Sequence, residues 1–87
     1  MDNKFLEICR KYLITHYALV HDVELKESDV YCVWFCKTLK NAKALVSTTV
    51  PDTRYFEFTF DRDKNQIYFD GYVKETSKCI EVEEDLF

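Results

Sequence analysis

Between residues 30 and 74 the chain strings together four runs of strand-forming residues, separated by only about four residues each. Connections this short force antiparallel neighbours, because a parallel pair needs a crossover of a dozen or more residues. The runs are Val30–Thr38, Lys43–Val50, Tyr55–Asp61 and Gln66–Lys74, rich in Val, Thr, Tyr and Phe, with apolar alternation clearest in the last two. The intervening turns are Leu39–Ala42, Pro51–Arg54 and Arg62–Asn65.

Ahead of the strands, Phe5, Ile8, Cys9, Tyr12, Leu13, His16, Tyr17 and Val20 recur every three or four residues, which predicts a helix from Asn3 to Val20 with Asp2 as its cap. His21 to Asp29 reads as the crossing to the sheet, with Val23 and Leu25 tucked beneath it. The predicted architecture is therefore α+β, one N-terminal helix packed on one face of a four-stranded antiparallel meander. At 87 residues the chain is one domain, since half of it would be too small to fold unaided. Its 47% apolar content suits a folded core, and residues 75–87 form an acidic C-terminal segment readable as a docked strand or a short helix.

The third turn pairs Phe60 with Ile67, Phe58 with Phe69 and Phe56 with Gly71 on one face, the face assigned to the helix. Extending the pairing through the other two turns adds Leu45, Ser47, Thr49, Cys32, Trp34 and Cys36 to that face. Tyr31, Val33, Phe35, Val46 and Val50 then project from the opposite side. A slip of one residue would exchange the two faces and turn Trp34 away from the helix.

Most catalytic chemistries find little support. A single glycine, Gly71, leaves no phosphate-cradling loop, so no nucleotide cofactor is expected. Cys32 and Cys36 would stand roughly 13 Å apart on one strand, too far to bridge or to share a metal, and no zinc-ligand spacing occurs. The four cysteines read as reduced, mostly buried thiols. His16 and His21 straddle the helix end, where one packs by its ring and the other meets the C-terminal dipole. Glu57 and Asp70 fall opposite each other on the outer face, where open water argues against acid–base work.

The formal charge of −4 disfavours nucleic acid and anionic membrane as partners, and no apolar run approaches the roughly 18 residues of a membrane span. Tyr55, Tyr68 and Tyr72 could stack unpaired bases, but Glu57, Asp61 and Asp70 surround them with the wrong sign of potential. With no export signal, a cytoplasmic location is expected. The patch of Tyr31, Val33, Phe35, Val46 and Val50 is the candidate interface, because a single helix cannot shelter both sides of a sheet. Its cover could be the C-terminal segment, a second copy in a homodimer, or a different protein.

The run Val30-Tyr31-Cys32-Val33-Trp34-Phe35-Cys36-Lys37-Thr38-Leu39, followed by Lys43-Ala44-Leu45 and Ser47-Thr48-Thr49, resembles a family of small uncharacterised proteins of phages and prophages of Gram-positive bacteria. Tyr55, Asp61, Lys64, Ile67 and Tyr68 are similar to the same pattern, so the likeness spans roughly residues 28 to 80. It implies an accessory protein acting in the cytoplasm of a bacterial host and assigns no catalytic or binding residue. Three functions follow, in order: a non-enzymatic interaction module, an acidic decoy built on Glu75, Glu81, Glu83, Glu84 and Asp85, and an enzyme using Glu57 with Asp70 or a Cys–His pair.

Overall fold

A computed structural model describes residues 2–85. Helix α1 (Asp2–His16) continues into a π-helical turn (Tyr17–His21), and a 3-10 turn (Glu27–Asp29) leads into the sheet. The strands are β1 (Val30–Lys37), β2 (Asn41–Thr48), β3 (Arg54–Asp61) and β4 (Gln66–Val73). They pair in the order β1-β2-β3-β4, all antiparallel, which is the meander expected from the short connections. The Asp2 side chain, expected as the helix cap, and Leu86 and Phe87, expected to help the tail dock, lie outside what is described.

Phe5, Cys9, Leu13 and Tyr17 form the buried spine of the helical segment. They recur at intervals of four, so each stands one turn above the last on a single face. That spine packs on Ala42, Ala44 and Val46 of β2 and on Phe56 and Phe58 of β3 to make one core. The helix stops where Asp22 takes a left-handed conformation (φ 54°), with its N–H and that of Val23 both reaching back to the Tyr17 carbonyl. Aspartate tolerates that conformation better than most side chains. Leu25 then enters the core and Val23 packs against it, as the sequence suggested.

The β3–β4 register is the expected one, Phe60 with Ile67, Phe58 with Phe69 and Phe56 with Gly71. Having no side chain, Gly71 leaves room for the Phe56 ring, which stacks on Phe69 at 5.4 Å and 4° between planes.

The β2–β3 register differs, and the difference exchanges the faces of β2. Val46 pairs with Phe56, Ala44 with Phe58 and Ala42 with Phe60, so the small residues beneath the helix are alanines instead of Ser47 and Thr49. Leu45, Ser47 and Lys43 point outward. The cause is a five-residue loop, Thr49–Thr53, in place of a turn starting at Pro51. Asp52 shapes the loop by accepting the Arg54 N–H at 3.2 Å and donating its own N–H to the Val50 carbonyl at 2.8 Å, and Thr53 turns left-handed (φ 57°).

Strand β1 holds a second irregularity. Cys32 pairs with Val46, but Trp34 pairs with Leu45, so Val33 is an extra residue in a β-bulge. A bulge shifts the alternation by one position. Cys32 therefore faces the helix side while Trp34, two residues later, faces away.

Leu13 is wholly buried and Leu19 is 80% exposed. Leu13→Ala is expected to cost about 2–5 kcal/mol, and Leu19→Ala about 0.5 kcal/mol or less, in urea unfolding followed by circular dichroism.

Candidate functional site

The register and the bulge together corrected most of the expected interface. Val46 is 3% exposed and lies in the core, under the helix. Phe35 pairs with Ala44 and packs its ring on Phe5 at 6.0 Å, again on the helix side. Val50 sits in the β2–β3 loop and packs against the core, and Val33 occupies the bulge. Of the five residues, Tyr31 is the one on the outer face of the paired strands.

What that face carries can be read row by row from the pairing. One row crosses the sheet as Tyr31, Ser47, Tyr55 and Tyr72. The next is Trp34, Leu45, Glu57 and Asp70, and a third is Cys36, Lys43, Thr59 and Tyr68. Ser47 is small enough to lie buried between its tyrosine neighbours, and its hydroxyl donates to the Arg54 carbonyl at 2.8 Å. The site is thus an aromatic and aliphatic patch of Tyr31, Trp34, Leu45, Tyr55 and Tyr72 at the end of the sheet where β4 finishes. A shallow depression of about 390 Å³ opens among Trp34, Leu45, Tyr55, Glu57 and Tyr72.

Among the described residues no element covers it. Trp34 is 41% exposed, Tyr31 47% and Tyr72 52%, although all three are aromatic. Residues 75–85 have no secondary structure and are exposed throughout, so the strand or helix considered for this segment is absent from its described part. The chain exposes 6923 Å² in all, against about 5,400 Å² for a compact monomer of its mass.

The face is open and largely aromatic, and its ionisable groups are few. Glu57 and Asp70 are cross-strand partners, as expected, but Lys43 approaches Glu57 at 3.4 Å and Asp70 is exposed. Two carboxylates on an open surface lack the water-excluding walls that would set apart an acid and a base. All four cysteines are free, yet only Cys9 is buried, which corrects the expectation of mostly buried thiols. Burial pushes the Cys9 thiol up to about 12, so it stays protonated at neutral pH and is a poor nucleophile. Among the described residues no group of three His, Cys, Asp or Glu side chains could hold a metal, and no helix is long and apolar enough to cross a membrane.

A second cluster, which the sequence reading missed, lies where the π turn meets the β2–β3 loop. The Tyr17 hydroxyl donates to Asp52 at 2.6 Å, Arg54 reaches the same carboxylate at 3.2 Å, and the Arg54 guanidinium lies 3.4 Å from His21 Nδ1. Burial works against the Asp52 charge, but the hydrogen bonds from Tyr17 and Arg54 outweigh it and hold the carboxyl below its usual range. Burial, helped by the acceptor carboxylate, pushes the Tyr17 phenol up to about 12. The polar pairing is complete, which makes the cluster a clasp between helix and loop. A tyrosine in phase with a helical stripe was the available signal, but its partner could not be known before the loop length was.

His16 stands beside this clasp with its ring 5.0 Å from Phe69 and 5.7 Å from Phe56. Burial, then the neighbouring His21 and Arg54, disfavour its charged form and lower its pKa. The unfolded chain takes up a proton near pH 6.5 where the folded one resists it, so stability is lost as pH falls below about 6.5. Denaturation midpoints measured between pH 8 and pH 5 should decline, and the decline should be shallower in His16→Phe.

Neither the curated proteins nor the solved structures contain a match to the chain. A family of unknown function, DUF6275, matches residues 6–82, which takes in most of the helix, all four strands and most of the exposed tail. By that match the chain belongs to the DUF6275 family.

Proposed function

We propose that this member of the family is a non-enzymatic interaction module that docks another protein surface on its bare sheet face. The observation that carries the reading is the uncovered set of Tyr31, Trp34, Leu45, Tyr55 and Tyr72, joined into one patch by the bulge at Val33. Contiguous exposed apolar area of this kind marks interfaces, and aromatic residues dominate interface energetics. The open setting of Glu57 and Asp70 and the raised pKa of Cys9 favour docking over catalysis. The run Val30 to Leu39, with its likeness to small phage and prophage proteins, supports an accessory role in the cytoplasm of a bacterial host.

A second reading rests on where the charge sits. Residues 1–74 hold eleven acidic and eleven basic side chains, while residues 75–85 hold five acidic and one basic, so the tail carries the entire −4. An exposed segment of that kind could imitate a phosphate backbone toward a nucleic-acid-binding protein.

The two readings separate in one experiment. Affinity purification from bacterial cells, with the wild type, Trp34→Glu and a chain ending at Lys74, should recover a partner with the first and third but not the second. The recovered complex should tolerate added salt, since apolar contact is not screened as charge pairing is. Loss of the partner on truncation, with retention in Trp34→Glu and dissociation in salt, would decide for the acidic tail.

A further inference from the structure

We infer that the partner docking on the bare sheet face is a basic protein segment whose arginine side chains stack on Tyr55 and Tyr72 and pair with Asp70. The inference rests on the docking reading above and adds the chemistry of the partner.

A block of four side chains on the face suits a guanidinium. Tyr55 pairs with Tyr72 across β3 and β4, and Glu57 pairs with Asp70. Residues two apart on a strand share a side at roughly 6.6 Å, and cross-strand partners stand about 5 Å apart. Two phenol rings therefore lie beside two carboxylates. Among the described residues the rings of Tyr31, Trp34, Tyr55 and Tyr72 make no contact with one another, and the depression of about 390 Å³ opens among the last three. Tyr72 is 52% exposed, and an exposed ring attracts a cation placed within about 6 Å of its centre.

Charge selects the sign of the partner. Like charges directly opposite each other on neighbouring strands repel. The Glu57 side chain, 23% exposed, is met by Lys43 at 3.4 Å, but among the described residues no ion pair or hydrogen bond engages Asp70. Lys74 borders the depression four residues beyond Asp70, roughly 13 Å along the strand direction. The group of Glu57, Asp70 and Lys43 is thus one cation short of neutrality, and a guanidinium over Tyr72 supplies it. The longer-range field has the same sign, since residues 1–74 have no net charge while residues 75–85 carry −4 and leave the sheet beside this block. Arginine fits better than lysine, because its planar fork stacks on a ring and grips a carboxylate through two N–H groups. Trp34 and Leu45 receive the apolar neighbours of the arginine.

Trp34 is the only tryptophan of the chain and reports the test. Titration with an arginine-rich peptide lacking aromatic residues should shift Trp34 emission saturably. The same should hold in a full-length chain with amides in place of the carboxylates of Glu75, Glu81, Glu83, Glu84 and Asp85. A lysine-rich peptide of equal length should bind more weakly. Asp70→Asn should weaken the arginine peptide about tenfold and Tyr72→Leu about threefold, each with an unchanged circular dichroism spectrum. Salt should weaken the complex without dissolving it, because apolar and stacking contacts are not screened. Trp34 emission unmoved by the arginine peptide at millimolar concentration overturns the basic partner and leaves the docking reading to the capture experiment. Binding lost in the amide-tail chain, or equal in wild type, Asp70→Asn and Tyr72→Leu, also overturns the inference, because the peptide is then held away from this block. A partner captured equally by wild type and Trp34→Glu sinks the docking reading itself.

Discussion

One hydrogen bond joins the end of the helix to the loop that sets the register of the central strands. Tyr17 lies wholly buried at the foot of the spine, and its hydroxyl donates to Asp52 at 2.6 Å. Asp52 in turn accepts from the Arg54 backbone and guanidinium, which closes the five-residue loop between β2 and β3. Loop length fixes hairpin register, and register fixes which side of β2 faces the core. The placement of Ala42, Ala44 and Val46 under the helix, and of Leu45 on the other side, therefore hangs on how this loop is held.

The bulge in β1 makes the matching adjustment on the first strand. Without it, strict alternation would put Tyr31 and Trp34 on opposite faces. With Val33 inserted, both lie on the outer side, Trp34 opposite Leu45 and Tyr31 opposite Ser47. The Cys32 thiol lies 3.2 Å from the Trp34 carbonyl and donates to it across the irregular step. Val30, Cys32 and Phe35 still face the helix side, so β1 serves the core and the patch at once. Bulges are over-represented on edge strands, as β1 is, and beside functional sites, and here one re-aims a large aromatic side chain.

These two devices also explain what could be read from residue order and what could not. The helix, the four strands and the β3–β4 pairing followed from apolar spacing, because Phe56, Phe58 and Phe60 alternate cleanly and the turn Arg62–Asn65 is centred between the strands. The β2–β3 pairing did not follow. Pro51 marks a turn without marking its length, and an error of three residues in the sum of paired positions flips the face. In β1 nearly every residue is apolar, so alternation gives no warning of a bulge, and Val33 looks like any other strand valine. The outer face was assigned Tyr31, Val33, Phe35, Val46 and Val50, of which Phe35 and Val46 face the helix, Val50 lies in the loop and Val33 in the bulge. Tyr31 survived because it precedes the bulge.

The distribution of charge ties the fold to its candidate role. A neutral body of residues 1–74 is free of long-range self-repulsion, a condition that favours association through an apolar face. An acidic tail leaving from the end of β4 keeps the whole molecule negative. The tail begins beside the patch, since Lys74 donates its N–H to the Thr53 carbonyl and borders the depression formed by Trp34, Tyr55 and Tyr72. Five carboxylic side chains follow that point in the chain, all of them exposed. An apolar sheet face and a negatively charged segment that leaves from its margin are thus compatible features of one molecule.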